Sequence, residues 1–446
     1  MPAAAVPVVS ERFPQYTDFD PLVPIRCVTP DIPGCIHRFF DTTPISPSGR
    51  YLAVFQVPTE DRLPRPGETA AIHVVDLQAG TTWQVATTQG WEPQLGPHLN
   101  WGGDDHTLFF NDVDVETWEP HSVRIDPLAD EPGLHAERFD GTVYHASPDG
   151  RWLASADLRA MARTQRGYGV VVPDAVVPRR IGFGVDDGLW LTCTATGRRK
   201  LVVTIADLMR AAASKRLEGR DPDAFEAYGF HSKFSPCGRR LLFTVRWIEH
   251  DPDGPAFDWI QNRKPELRFT VFTMTLGDVE ADGFPEITDL VAAIGDEQWE
   301  KHGHHVNWLP DGSGLTTNLR IDRAEMRFVR CGVDGTDLRE VVPGAIGSGH
   351  PSVHPTANHF LTDVYAHEDL AFGDGTTPLR WIDVESGEER CVARYPSRTP
   401  AQDHDPALRL DPHPAWDRTW THVAFNAFLD GTRRVMVADM RPLLDA

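Results

Sequence analysis

The chain has 446 residues, 41% of them hydrophobic, with 36 glycines, 37 prolines and a net charge of −22. A large core is within reach, and evenly spread glycine and proline suit many short elements joined by tight turns. The acidic balance excludes nucleic acid and an anionic membrane surface as partners, because both would be repelled, but not a small acidic ligand held by a few local cations.

The opening stretch MPAAAVPVVSERFPQY has no basic start and no long apolar run, and the chain nowhere reaches the roughly 18 apolar residues that cross a bilayer. A cytoplasmic protein with no membrane partner is expected. Cys27, Cys35, Cys193, Cys237, Cys331 and Cys391 form no CxxC pair and fit a reducing compartment, with a Cys27–Cys35 bridge as the alternative. From Phe39 onward one phrase recurs at intervals of roughly 45 to 90 residues. Its seven forms are FFDTTPISPSGRYLAVFQV, PHLNWGGDDHTLFFNDV, TVYHASPDGRWLASADL, FHSKFSPCGRRLLFTVRW, HHVNWLPDGSGLTTNLR, GHPSVHPTANHFLTDVY and PHPAWDRTWTHVAFNAF. Each reads as a short strand, a tight turn and a second apolar strand, and most are followed by two more strand-like runs, such as AAIHVVDLQAG and TTWQVATT.

Four strands per repeat, repeated radially, predict an all-β, seven-bladed β-propeller, with 1–446 as one domain. Leu158–Asp187, Lys215–Gly229 and Ile248–Glu266 are expected insertions, and Ile205–Leu217 is the best helix. The last repeat ends at RRVMVADMRPLLDA, one strand short. PIRCVTP, Pro24–Pro30, is expected to supply that strand and close the ring.

In HHVNWLPDG, His305 stands three residues before Trp308. His98, His231, His350 and His413 hold the same register, whereas two repeats have Thr42 and Val143 there. With 19 histidines in 446 residues, chance would fill fewer than one of the seven places. The first strand of each propeller blade lines the axis. The connection into it shares a face with the hairpin between the second and third strands. The five imidazoles should therefore meet at one mouth of the channel, with His37, His145, His304 and His354 nearby in sequence. A histidine that only hydrogen-bonds a neighbouring strand explains any single case; it explains five at one axial register less well.

Imidazole moves protons near neutral pH and binds metals, and crowding favours its neutral form. RAMARTQRGYGV in the third repeat offers Arg163, Arg166 and Tyr168 on the same face, and Arg246 ends the second strand of the fourth. Arginine forks suit carboxylates, so the pocket reads as one for a small carboxylated ligand; the plainer reading has these arginines solvating loops.

The Ser-Pro-Asp-Gly-type turns, the histidines heading inner strands and the phrase DPHPAW resemble the seven-bladed propeller polysaccharide lyases. These include oligogalacturonate lyases and L-rhamnose-α-1,4-D-glucuronate lyases; HRFFDTTPISPSGRYLAV, GHHVNW and GHPSVHP look more like the second type. The resemblance spans essentially the whole chain. It implies an acidic oligosaccharide substrate and β-elimination at a 4-linked uronic acid. In the oligogalacturonate type a metal, usually manganese, is held by histidines and a glutamine. Carried over, His350 and His413 match ligands and His305 matches the base. Asp411 stands in place of a further histidine and Leu408 in place of the glutamine. Aspartate suits a hard divalent ion such as manganese or calcium, but the set is one ligand short. Without a metal, Arg166 or Arg246 would have to neutralise the substrate carboxylate.

Taken together, His305, Arg166, Tyr168, His231 and Arg246 are the expected catalytic residues. His98, Arg163, His145 and His37 are expected to contact substrate, and His350, His413 and Asp411 to hold an optional divalent metal. A non-catalytic scaffold or sugar-binding propeller is the rival, and it predicts no histidine ring. A peptidase cap is excluded, because no GxSxG elbow and no following α/β domain are present.

Overall fold

The computed structural model describes residues 6–250, 267–299, 302–321 and 325–445. Seven antiparallel four-stranded sheets form the blades of a propeller. The first blade comprises Cys35–Ile36, Tyr51–Gln56, Ala70–Asp76 and Thr81–Thr88, and the second Asn100–Trp101, Leu108–Asp114, Glu119–Ile125 and Glu137–Phe139. The third has His145–Ala146, Trp152–Ser155, Gly188–Cys193 and Arg199–Thr204, and the fourth Phe225–Phe234, Arg240–Glu249, Arg268–Val279 and Pro285–Ile294. Gly303–Trp308, Gly314–Arg320, Met326–Gly332 and Arg339–Glu340 make the fifth; Ser352–Val353, His359–Thr362, Thr376–Asp383 and Glu389–Pro396 make the sixth. The seventh takes Ala415–Trp416, His422–Leu429 and Thr432–Asp439 from the C-terminal end and Ile25–Cys27 from the N-terminal end. Ile25 pairs with Ala438 and Cys27 with Met436, so the ring closes as expected.

The repeated phrase explains the geometry. In the Ser-Pro-x-Gly turns the glycine N–H donates to the carbonyl three residues back, from Gly49 to Ser46 at 2.9 Å and from Gly150 to Ser147 at 2.8 Å. Those glycines adopt φ 77° and 70°, where a side chain is strained; the sixth repeat uses Asn358 at φ 49° instead. In three repeats the tryptophan before the turn ties its blade to the one before it. Trp101 Nε1 donates to the Pro44 carbonyl at 2.8 Å, Trp308 Nε1 to the Lys233 carbonyl at 3.0 Å and Trp416 Nε1 to Ser352 Oγ at 3.1 Å. Apolar residues fill the spaces between blades: Trp152, Leu191, Phe234 and Phe243 lie in one cluster, and Leu361, Trp381, Trp416 and Phe425 in another. No helix among the described residues is long and apolar enough to cross a membrane.

Several local expectations change. The insertion of the third blade holds a helix, Leu158–Thr164, capped by the Asp157 side chain on Arg159 N. The fourth blade's inner strand begins at Phe225, so the insertion before it ends at Ala224 instead of Gly229. Its second strand runs on through Arg246 to Glu249; of the expected Ile248–Glu266 insertion, residues 251–266 lie outside the described residues. The helix at Ile205 stops at Ala211, just before Ala213 turns left-handed at φ 48°. All six cysteines are free thiols, so Cys27 and Cys35 are not bridged.

The largest departure is in the first blade. Its inner strand stops at Ile36, and the chain rejoins the sheet only where Ile45 bridges to Leu52. The segment between fills the axis. Phe39 lies 5.7 Å from the His231 ring, 6.0 Å from His305, 5.4 Å from His350 and 4.7 Å from His413, side chains of four different blades. Thr42 therefore has no place equivalent to those histidines. Beneath Phe39 and Phe40, Lys233 pairs with Asp41 at 2.9 Å, both side chains 1% exposed, and donates to the Val306 carbonyl at 2.7 Å. Burial would raise the Asp41 pKa, but Lys233 and Arg38 hold it below its ordinary value.

Candidate active site

The histidine register owes its aim to broken β pleat. His98, His305 and His413 have φ of 56°, 62° and 51°, and Gly349, just before His350, has φ 60°. The fourth and fifth inner strands shift register between Gly229 and Ser232 and between His304 and Asn307. A left-handed residue or a bulge interrupts the alternation of side chains and redirects one of them. For a non-glycine residue that costs about 1–3 kcal/mol, which the surrounding blade must hold in place.

A cavity of about 230 Å³ opens above Phe39. His231, Arg246, His305, Tyr168, Tyr365 and Arg409 supply its polar wall, and Phe230, Phe269 and Trp299 its apolar one. Arg246 is buried, its guanidinium 3.4 Å from the Phe230 centroid and 4.6 Å from that of Phe269. Its Nη1 donates to Gln165 Oε1 at 2.6 Å, and no carboxylate among the described residues pairs with it. Burial pulls its pKa down to about 9. A buried guanidinium without an anion is costly, and an entering carboxylate would relieve it.

His305 Nδ1 lies 2.5 Å from the Gly349 carbonyl, and its Nε2 is 3.1 Å from the Tyr365 hydroxyl. A carbonyl can only accept, so Nδ1 carries the proton and Nε2 the lone pair, which takes a hydrogen bond from Tyr365. Burial, then His350 and His304, keep the His305 pKa well below its ordinary value, so the ring is a neutral base at pH 7. Burial raises the Tyr168 pKa to about 12, keeping its proton in place. Arg409 Nη2 donates to the Tyr168 oxygen at 3.3 Å and so stands ready for the charge that would follow proton loss.

Under this wall, His350, Asp411 and His413 each offer a donor atom within 4.8 Å of the others, all three residues buried. His350 Nδ1 donates to Asp363, 2.9 Å away, which fixes its tautomer and leaves Nε2 as a lone pair without a protein partner. Among the described residues His413 has no hydrogen-bond partner at either ring nitrogen, and its Nε2 lies 3.8 Å from Asp411. Burial lowers both histidine pKa values, that of His350 to about 3. Neutral, orphaned imidazoles beside a carboxylate are what a divalent metal requires, and the Asp363–His350 pair has the form of an outer-sphere support. Asp411 also accepts from Arg409 Nε and Nη2 at 2.9–3.0 Å, and a carboxylate has lone pairs enough for an arginine and an ion. These three residues fit a metal.

The structure does not bring every expected residue to this place. His231, His305, Arg246 and Tyr168 line the cavity, and His350, Asp411 and His413 lie under it. Arg166 instead pairs with Asp405 at 2.7 Å and does not line the cavity. Arg163 is buried against Glu226 at 3.2 Å and the Tyr228 hydroxyl at 3.3 Å. The cause is the helix, which replaces the strand pattern assumed for this insertion. Gly167 and Gly169, at φ 84° and 81°, then turn Tyr168 inward. A Cβ on Gly169 would stand 2.2 Å from the Leu158 carbonyl, so only glycine fits there. His145 accepts from Phe234 N at 2.9 Å, the bland structural role weighed for single histidines. His37 is buried beside His413, and His98 beside Tyr144 and Glu92; none of these three lines the cavity. Sequence reasoning missed Tyr365, Arg409, Gln165, Asp363 and Phe39. Tyr365 was within reach, since it follows the second strand of the sixth blade on the side already assigned to the mouth.

This is a seven-bladed propeller with a histidine-lined, arginine-bearing funnel. No family model and no curated protein sequence matches the chain. Among solved structures, one described as an oligogalacturonate lyase in complex with manganese superposes with a TM-score of 0.60 at 14% identity, covering 99% of this chain and 98% of its own. An oligogalacturonate lyase from Vibrio parahaemolyticus gives 0.58 at 14% identity, with 96% of each chain covered. At that identity the likeness is one of fold.

Proposed function

We propose that the protein is a β-eliminating lyase for 4-linked uronic acid glycosides in short oligosaccharides, with the L-rhamnose-α-1,4-D-glucuronate linkage as its best-suited target. The observation that carries this is Arg246, a buried cation with no carboxylate partner among the described residues, in the same small cavity as a neutral histidine whose Nε2 lone pair meets only the Tyr365 hydroxyl.

In the reaction, Arg246 and Gln165 hold the uronate carboxylate. His305 Nε2 removes the C5 proton, and negative charge grows on the carboxylate as an enediolate, where a fixed cation lowers the barrier most. The electron pair forms the C4–C5 double bond as the C4–O4 bond breaks. Tyr168 delivers its proton to O4, and Arg409 stabilises the phenolate until the proton gained by His305 passes to solvent and an equal one returns to Tyr168. Phe39 seals the floor against the rest of the channel. His350, Asp411 and His413 are the residues that would hold a divalent metal, which when bound would supply Lewis-acid charge. That donor cluster favours a second reading, a metal-dependent oligogalacturonate type.

The products distinguish these from a mere sugar-binding propeller. Rhamnose-capped glucuronides and oligogalacturonates should be supplied in turn and the ultraviolet absorbance of the new double bond followed. Absorbance that is lost in His305→Ala supports the mechanism. No absorbance with any uronide, or full activity in His305→Ala, rejects it.

A further inference from the structure

The reaction cavity opens into a second hollow of about 700 Å³, sharing Gln165, Tyr365 and Arg409 with it. Its outer wall includes His367, Arg398, Gln402 and Asp403. The Tyr365 and His367 rings stack at 5.5 Å, a flat surface of the kind on which a sugar ring lies. The electrostatics of the two spaces differ. Arg246 in the cavity has no carboxylate partner among the described residues, whereas both arginines of the hollow are already engaged. Arg398 Nη2 donates to Asp403 at 2.7 Å, and Arg409 is held by Asp411.

We infer that this outer hollow is the binding site for the glycosyl unit attached at O4 of the reacting uronate, and that it is built for an uncharged sugar, with Asp403 masking Arg398 against acidic ones. This rests on the lyase reading and adds a specificity element to it. A carboxylate entering the hollow would meet the Asp403 charge and find no unpaired guanidinium; a neutral ring would meet an aromatic face and the two amides, Gln165 and Gln402. Because Arg398 and Asp403 are about half exposed, substituting either leaves the core intact.

The test compares two disaccharides that share the reacting uronate and differ at O4, one carrying a neutral deoxysugar and the other a second uronate. Calorimetric binding to His305→Ala and kcat/KM of the active enzyme are both measured. The unaltered hollow should favour the neutral unit. Asp403→Asn should raise binding and kcat/KM for the acidic unit by about 5-fold relative to the neutral unit, and adding Arg398→Gln should cancel that relative gain. An unaltered ratio in Asp403→Asn, or an initial preference for the acidic unit, overturns the inference. Binding in the expected ratio with no cleavage of either compound would sink the lyase reading and leave the hollow standing; no binding of either rejects both.

Discussion

Replacing Arg246 by methionine should stabilise the ligand-free protein while abolishing turnover. Burial lowers the Arg246 pKa from 12.5 to about 9. At about 1.4 kcal/mol per tenfold, this corresponds to roughly 5 kcal/mol of desolvation borne by the charged side chain. The Phe230 and Phe269 faces and the Gln165 amide offset about 2–4 kcal/mol of it. Methionine has similar length, suits the same aromatic slot and carries no charge. A net gain of about 1–3 kcal/mol should follow, visible as a rise of a few degrees in Tm. Loss of the cation that meets the developing enediolate should cost about 3–4 kcal/mol in the transition state, at least 100-fold in kcat/KM. Thermal melting and ultraviolet detection of the unsaturated product read the two effects separately. A lower Tm would mean that Arg246 holds the fold together, and retained turnover would mean that it does not hold the substrate; either result refutes the reasoning.

Protein loaded with manganese and desalted should retain one ion per chain by mass-spectrometric metal analysis, and His413→Ala should lose it; equal retention by both would remove His350, Asp411 and His413 as the ligand set. Acid should weaken the fold through the buried histidines. His37 and His145 have pKa values near 3 because burial disfavours their charged forms. An unfolded histidine titrates near 6.5, so the unfolded chain binds more protons between about pH 6.5 and 3, and stability drops as the pH is lowered through that window. The slope should approach about 1.4 kcal/mol per pH unit for each ring. Melting curves from pH 7 to 5 should show the decline, and His145→Asn, which keeps an acceptor for Phe234 N, should flatten it; an identical slope would clear His145. Deleting residues 1–30 should expose the edge of Thr432–Asp439 and remove buried Ile25 and Val28, costing at least about 3 kcal/mol. A synthetic peptide spanning residues 20–30 should restore the lost Tm, and an unchanged Tm in the truncated chain would contradict the closure.

What sequence disclosed was local or periodic. The Pro-Asp-Gly turns, the aromatic after each histidine and the missing outer strand are short-range signals, and all reappear in the blades. The convergence of His231, His305, His350 and His413 follows from one register repeated around a ring. What stayed hidden depends on the chain leaving that repeat. His37 to Pro44 reads as the start of an ordinary blade, yet crosses the axis because Phe39 finds four imidazole rings to cover. Strand logic puts Arg163 and Arg166 at the mouth, but Arg163 lies in the helix Leu158–Thr164 and Arg166 in the turn after it. Arg409 carries the alternation of Asp411 two residues back, but its hydrogen bond to Tyr168 joins positions 241 residues apart, and no local pattern announces it.

The Phe39 segment also sets an order of events. His37 N donates to Asn426 Oδ1 across 389 residues, and Ile25–Cys27 waits for Thr432–Asp439 as its sheet partner. Residues 25–37 are thus buried only by partners far along the chain, and contacts so distant fold slowly because closure entropy precedes any reward. The funnel gains its floor from the same N-terminal stretch that supplies the seventh blade's outer edge. A chain in which that closure has not occurred would therefore hold blades without the floor of the funnel, so the assembled site waits on contacts between the two ends of the ring.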